Sequence, residues 1–158
     1  LYDAVKITVA SGITTIGSYA FNCPGGTTKI TFDMADSVKT IKANSINLNM
    51  QSITLGKGVE RIEEKITGKN MTGIYLPKTL KYFGGLGSSW KTDTVIYFEG
   101  TKEQFLNIQT RYYNKTTTLN NLFDSVYKNG RTSPYCQVFV NCKKIFDTTE
   151  KYNTMEGR

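Results

Sequence analysis

The chain has 158 residues, of which 39% are hydrophobic and 12% aromatic, a composition that suits one folded domain and argues against an intrinsically disordered chain. It contains no histidine, so the commonest general base of serine or cysteine catalysis and a frequent zinc ligand are both missing. The net charge of +7 indicates either affinity for an anionic partner or an ordinary basic surface. No run of Lys or Arg exceeds two residues, which favours the ordinary surface and argues against specific nucleic-acid binding.

The start of the sequence gives two expectations about its context. It begins with Leu1 and lacks the charged and then apolar segment of a signal peptide, so we expect either a fragment of a larger chain or assembly, or a mature chain. A first strand over residues 4–10 would then have an unpaired edge that needs a partner. No stretch approaches the roughly 20 consecutive apolar residues of a membrane-spanning helix.

A three-residue phrase recurs through residues 7–98, with starts 23, 23, 21 and 22 residues apart. In each copy, two apolar residues flank a Thr or a Tyr, and in a strand this pattern puts the flanking side chains on one face and the middle one on the other. One short unit cannot bury that apolar face alone, so the period predicts a solenoid of stacked coils joined in a parallel sheet. The copies are Ile7-Thr8-Val9, Ile30-Thr31-Phe32, Ile53-Thr54-Leu55, Ile74-Tyr75-Leu76 and Ile96-Tyr97-Phe98.

Further inward positions follow each of the first four phrases. A pair of apolar residues three apart comes first, and a weaker third site follows it. The pairs are Ile13/Ile16, Val38/Ile41, Val59/Ile62 and Leu80/Phe83, and the third sites are Phe21, Ile46, Ile66 and Leu86. In the second coil, two extra residues stand between the phrase and Val38, which predicts a bulge at that point.

The three cysteines do not describe a disulfide framework. Cys136 and Cys142 share a predicted strand, on which six residues would place them about 20 Å apart, out of disulfide reach unless the chain turns between them. Cys23 is expected to be a small buried core residue rather than a reactive thiol. With no Cys-x-x-Cys pair and no histidine, no metal site is predicted.

The middle residues of the five phrases are the candidate partner-binding residues. Stacked coils would align them as a ladder on the solvent side of the sheet, where the tyrosines supply rigid, amphipathic contact area. The alternative is that Thr and Tyr are simply favourable residues for exposed strand positions. The ladder consists of Thr8, Thr31, Thr54, Tyr75 and Tyr97.

A polar loop over residues 87–95 carries the single tryptophan, Trp90. An exposed Trp90 would offer a contact to a sugar or a protein; the alternative is that it folds back over the end of the solenoid. After the fifth strand, Thr101 and Gln104 form a capping-box signature, which predicts a helix over residues 101–109.

The remaining residues predict a second helix and a strand. Apolar residues at helical spacing mark the helix, and they are Leu119, Leu122, Phe123, Val126 and Tyr127. Residues 135–140 are typical of a strand, and the polar tail from residue 147 is expected to fray.

Two segments resemble a known family. The first, Ile13-Thr14-Thr15-Ile16-Gly17-Ser18-Tyr19-Ala20-Phe21-Asn22-Cys23, resembles the unit of the BspA-like leucine-rich repeats, V-x-x-I-G-x-x-A-F-x-x-C. The second, from Ile96 to Phe105, resembles the Y-x-G-T-x-E-Q-W segment that often closes such arrays. The resemblance covers about residues 4–109 and is weakest in the middle coils. It implies an α/β-type repeat solenoid with short parallel strands over residues 1–100 and an α+β capping unit over residues 101–158.

The resemblance also implies a role. The family serves adhesion and protein recognition, so we expect a protein partner, an extracellular, cell-surface or virion-surface location, and no catalytic residues, cofactor or metal. The chain is therefore predicted to be a recognition module of a larger surface protein rather than an enzyme. The alternatives are a structural segment of a cell-surface, fibre or phage-tail protein, and a weak carbohydrate-binding module that uses Trp90 and the tyrosines.

Overall fold

The computed structural model describes residues 6–23, 25, 29–68, 70–84, 95–128, 137–141 and 153–154. In these ranges the chain forms short β-strands and two helices. The strands are β1 (Lys6–Val9), β2 (Thr15–Ile16), β3 (Phe21–Cys23), β4 (Thr31–Met34), β5 (Thr40–Ile41), β6 (Ile46–Leu48), β7 (Ser52–Thr54), β8 (Arg61–Ile62), β9 (Gly73–Leu76), β10 (Tyr82–Phe83), β11 (Val95–Phe98), β12 (Gln109–Tyr112), β13 (Lys115–Thr118), β14 (Gln137–Val140) and β15 (Asn153–Thr154). The helices are α1 (Lys102–Leu106) and α2 (Leu119–Lys128).

The strands stack as a parallel solenoid of about four turns, which confirms the predicted repeat architecture. One side of the stack is the sheet β2-β5-β8-β10-β12, to which β13 adds antiparallel. A second side consists of the pair β1-β4 and of the sheet β7-β9-β11-β14, to which β15 adds antiparallel. The third is the short pair β3-β6, continued by a bridge between Asn47 and Thr67.

The inward positions that the repeat predicts fill a continuous apolar core. The buried phrase residues are Ile7, Val9, Ile30, Phe32, Ile53, Leu55, Ile74, Leu76, Ile96 and Phe98. The buried residues of the later positions are Ile16, Val38, Ile41, Ile46, Val59, Ile62, Ile66, Leu80 and Phe83. Cys23 is also buried, as predicted. Two predicted positions are exceptions. Ile13 has 46% of its surface exposed, because its coil lies at the end of the described stack, where β2 is an edge strand, and Phe21 is only partly buried.

The strand of the second phrase, β4, begins later than the phrase repeat predicts. In the pairing of β1 with β4, Ile7 lies opposite Phe32 rather than opposite Ile30. The pairing continues through both strands without an inserted residue, so the bulge predicted before Val38 is wrong. The last inward residue of the strand is Met34, four residues before Val38, and the other three coils show the same spacing. A corner of fixed length therefore decides the register, and the extra residues of this coil precede the strand.

The helix predicted after the fifth strand forms, with its capping box in place. Gln104 N–H donates to Thr101 Oγ1 at 3.2 Å, and Thr101 N–H donates to Gln104 Oε1 at 2.9 Å. These two bonds satisfy backbone donors that a helix start otherwise leaves unpaired. Phe105 is fully buried, with its ring centroid 5.3 Å from that of Phe98. The helix ends at Leu106, three residues before the predicted end.

The sequence patterns do not predict the hairpin that separates the two helices. β12 and β13 are joined by Tyr113 and Asn114, whose φ angles are 45° and 64°. Two-residue turns with positive φ favour Asn or Gly, so Tyr113 hides the usual sequence signal. The helix α2 follows directly and buries Leu119 and Leu122, as predicted.

β14 continues a sheet of the solenoid. It pairs parallel with β11, and Val138 lies opposite Ile96, which confirms the predicted strand from Gln137 onward. The domain boundary at residue 100 stays a prediction. The predictions for Trp90, Leu86, Cys136, Cys142 and most of the tail fall on residues outside the described ranges. No helix of the described chain is long and apolar enough to cross a membrane.

Two serines of the second coil make opposite contributions to stability. Ser37 Oγ accepts a hydrogen bond from Gly12 N–H at 3.1 Å and donates one to Ile13 C=O at 2.8 Å, so it links the second coil to the first. Ser45 is 2% exposed, and its Oγ has no hydrogen-bond partner within the described residues. A buried hydroxyl of this kind lowers stability because it loses its hydrogen bonds to water without replacement.

We expect Ser45→Ala to leave the free energy of unfolding unchanged or to raise it by up to about 1 kcal/mol, because it removes the unpaired hydroxyl. Ser37→Ala, the matched variant, should lower that free energy by about 1 kcal/mol, because two hydrogen bonds between coils are lost. Urea denaturation followed by circular dichroism measures both. A loss of more than about 1 kcal/mol in Ser45→Ala would show that this hydroxyl has a partner in solution.

Candidate binding surface

The solvent side of β1, β4, β7, β9, β11 and β14, called here the outer face, carries the residues that the sequence predicts to bind a partner. The strand register arranges its residues in two columns. In the first column Thr8 lies opposite Asp33, and Thr54, Tyr75, Tyr97 and Phe139 lie opposite one another in turn. In the second column Lys6 lies opposite Thr31, and Ser52, Gly73, Val95 and Gln137 lie opposite one another.

The predicted ladder is therefore not a single row. Thr8 and Thr31 are both exposed, but they stand in different columns because β4 is displaced by two residues relative to the phrase. Asp33 takes the place beside Thr8 that was predicted for Thr31. Asp33 Oδ2 forms an ion pair of 2.8 Å with Lys6 Nζ, so charge replaces a hydroxyl at this point of the outer face.

The second half of the first column is a stack of aromatic rings. The ring of Tyr75 lies 4.6 Å from that of Tyr97 at an interplanar angle of 11°, and Tyr97 lies 5.5 Å from Phe139 at 16°. Gly73 adds no side chain beside the rings; a Cβ there would lie 3.5 Å from the Tyr97 ring. The stack covers Tyr75, which is only 7% exposed, so the prediction that Tyr75 faces solvent is wrong.

The sequence patterns missed two residues of the outer face. Asp33 could have been found by counting four residues back from Val38 to the last inward residue of the strand, Met34. Phe139 could not, because its place beside Tyr97 depends on β14 joining the sheet after a connection of more than thirty residues. Within the described ranges, no group of three or more Cys, Asp or Glu side chains could hold a metal ion.

The opposite sheet, β2-β5-β8-β10-β12, carries ion pairs between successive coils. Glu60 Oε2 lies 2.8 Å from Lys81 Nζ, and Glu60 Oε1 lies 3.7 Å from Lys39 Nζ. The hydrogen bond and the charge of Lys81, aided by Lys39, lower the pKa of the Glu60 carboxyl. One carboxylate thus holds two ammonium groups from the coils on either side of it.

A second carboxylate of the same coil acts in a similar way. Glu63 Oε1 accepts a hydrogen bond from Lys42 Nζ at 2.8 Å and lies 3.7 Å from Arg61 Nε. The hydrogen bond from Lys42 lowers the pKa of the Glu63 carboxyl. The Arg61 guanidinium also lies 4.0 Å from the centroid of the Tyr82 ring, a cation–π contact on the next coil.

We expect Tyr97→Ala to lower the free energy of unfolding by about 2 kcal/mol, because the central ring of the aromatic stack is lost and Tyr75 becomes exposed. Tyr97→Phe keeps both ring contacts and should change stability much less. Thermal and urea denaturation of the two variants provide the comparison. Equal losses in both would mean that the hydroxyl group, not the stack, stabilises this sheet.

The Glu60 pairs should make stability depend on pH in the acid range. Because the pKa of Glu60 is lower in the folded chain, the stabilisation is present above the unfolded value of about 4.3 and is lost as pH falls through the folded value. Glu60→Gln should therefore show a smaller fall in unfolding free energy than the wild type between about pH 5 and pH 3. Glu64→Gln changes an exposed carboxylate of the same coil and is the control. Identical pH profiles for the wild type and Glu60→Gln would contradict this assignment.

Comparison with known proteins does not assign the chain to a family. No protein-family model, no curated protein and no solved structure matches it.

Proposed function

We propose that the chain is a non-catalytic recognition module of a larger surface protein and that it binds a protein partner through the outer face. The observation that carries this proposal is the outer face itself, a strip in which short polar side chains adjoin a stack of aromatic rings. Tyrosine and phenylalanine offer large contact area at low entropic cost, and hydroxyl groups beside them supply hydrogen bonds. The solenoid holds both sets on rigid strands.

Among the described residues, the side chains of the two sheet faces suit contact with a partner rather than a chemical reaction. Thr8 and Thr31 are exposed on the strands, and Tyr97 is half-buried as the central ring of the aromatic stack. Carboxylates of the opposite sheet, Glu60 and Glu63, are engaged by lysines. These features suit a surface that keeps its shape when a partner binds.

The resemblance to BspA-like leucine-rich repeats supports the same function. It rests on the Ile13 to Cys23 unit and on the segment around Thr101 to Gln104, where the capping box forms. We infer from it an extracellular or cell-surface location and a capping role for the residues after 100. Parallel stacking of the coils is the structural feature that agrees with it.

A structural or assembly role is the second candidate, and one observation favours it. In the described chain β1 and β2 each lie at the end of a sheet, with one edge unpaired. An exposed edge strand offers backbone hydrogen bonds to another chain. In that case the solenoid acts as a spacer whose ends join neighbouring segments of a fibre or surface protein.

The test uses two double variants with the same substitutions on opposite sheets. Thr8→Lys with Thr54→Lys changes the outer face, and Thr15→Lys with Thr40→Lys changes the opposite sheet at positions of matched exposure. A partner captured from cell-surface extracts by the wild-type chain is purified, and its affinity for each variant is measured by biolayer interferometry. The outer-face variant should bind at least about tenfold more weakly, a loss of about 1.4 kcal/mol, and the control should bind normally.

Unchanged affinity in the outer-face variant would place the binding surface elsewhere. Loss in both variants would indicate that added charge, not contact with the outer face, weakens binding. Self-association of the wild type in light scattering, with no partner captured, would favour the assembly role.

A further inference from the structure

The outer face is interrupted between β4 and β7. Among the described strands of this side, successive coils otherwise share a parallel ladder, but β4 and β7 belong to different sheets. The two coils are joined just before the break, where Ile30 N–H donates to Asn49 C=O at 2.8 Å. They then separate, and a groove of about 430 Å³ lies between them.

One wall of the groove presents backbone groups of β4. In a parallel ladder, the N–H and C=O of successive residues point alternately to the two neighbouring strands. Ala35 N–H donates to Val9 C=O of β1 at 3.1 Å. Phe32 and Met34 lie an odd number of residues from Ala35 along the chain. Their N–H and C=O groups therefore point to the other side of β4, away from β1 and toward the groove.

The facing wall is built in the same way from β7. Leu55 N–H donates to Tyr75 C=O of β9 at 3.1 Å. Ser52 and Thr54 lie an odd number of residues from Leu55 along the chain, so their backbone N–H and C=O groups point away from β9 and toward β4. The groove thus has hydrogen-bond donors and acceptors on both walls.

The side chains at the rim are polar and carry no net charge. Lys29 Nζ spans the gap and donates to Gln51 Oε1 at 2.7 Å. Asp33, with half of its side chain exposed, accepts from Lys6 through one oxygen and keeps further acceptor capacity. The polar lining consists of Lys29, Thr31, Asp33, Gln51, Ser52 and Thr54.

The width of the gap decides between two classes of ligand. A polypeptide strand inserted between β4 and β7 would need them about 9.6 Å apart, twice the spacing of paired strands. Their Cα atoms still approach within 8 Å of each other, which is too close for an inserted strand. Hydroxyl groups need less room, and each can donate one hydrogen bond and accept two. The volume also lies in the range of small-molecule sites, about 300 to 1,000 Å³.

We propose that this groove binds a neutral saccharide unit, whose hydroxyl groups bridge the backbone groups of β4 and β7 while Asp33 accepts from two adjacent hydroxyls. The proposal does not rest on protein recognition by the outer face, and it differs from a sugar site at Trp90. Tyr75, the nearest aromatic residue of the column, is buried within its stack. Among the described residues, the site therefore has no exposed ring for stacking, and we expect dissociation constants of about 1–10 mM.

The experiment is a titration of the isotope-labelled chain with methyl glycosides of glucose, galactose, mannose, fucose and N-acetylglucosamine, followed through backbone amide NMR signals. At up to about 50 mM, at least one glycoside should shift the amides of β4 and β7 with saturation. Asp33→Ala should weaken its binding about tenfold, because charged hydrogen bonds to hydroxyls are lost. Glu64→Ala, a carboxylate outside the groove, is the control.

A second pair of variants separates binding from folding. Thr31→Trp fills the groove, and Thr15→Trp puts the same side chain on the opposite sheet, away from it; both positions are exposed strand positions that tolerate tryptophan. Thr31→Trp should abolish the shifts and Thr15→Trp should retain them. Absence of saturable shifts with all five glycosides overturns the proposal. Persistence of the shifts in Thr31→Trp also overturns it. A stronger response of the same amides to an extended Thr-Val-Thr-Val peptide has the same consequence.

Discussion

The whole structure depends on register between successive coils. A coil of this length cannot bury its own apolar side chains, so each must be covered by the equivalent side chain of the next coil. The corner after each strand fixes that register, because the next repeat position comes four residues after the last inward residue of the strand in all four coils. Met34 illustrates the constraint: it takes the inward place before Val38, and the strand begins later than the repeated phrase suggests. The irregular coil keeps its core and changes its outward residues instead.

The outer face follows from this constraint. Outward residues have no packing partner inside, so they differ between coils and divide the face into regions of different chemistry. The later coils carry the ring stack of Tyr75, Tyr97 and Phe139, which itself buries area and stabilises the sheet. The earlier coils carry hydroxyls, one ion pair and the gap between β4 and β7. The proposed protein recognition and the proposed saccharide site both draw on this one surface, and Thr31 and Thr54 belong to both.

The opposite sheet clarifies the basic charge of the chain. Glu60 and Glu63 hold lysines of neighbouring coils, and Arg61 lies over the ring of Tyr82. The two carboxylates offset part of the charge of the four basic groups around them, Lys39, Lys42, Arg61 and Lys81. These pairs also connect coils across the ladder, so they add to the same stacking that the core requires.

The sequence by itself determined the repeat, the inward positions and the start of the first helix. These features depend on local periodicity and on side chains a few residues apart, which the linear pattern contains. It did not determine the partners of the outward residues. The shift of β4, the burial of Tyr75 and the place of Phe139 depend on which strands lie side by side, and Phe139 reaches Tyr97 only after two helices and a hairpin. The sequence did not predict the groove either, because the groove arises where two coils separate. Core positions are set by period, whereas the chemistry of the outer face is set by register between distant segments.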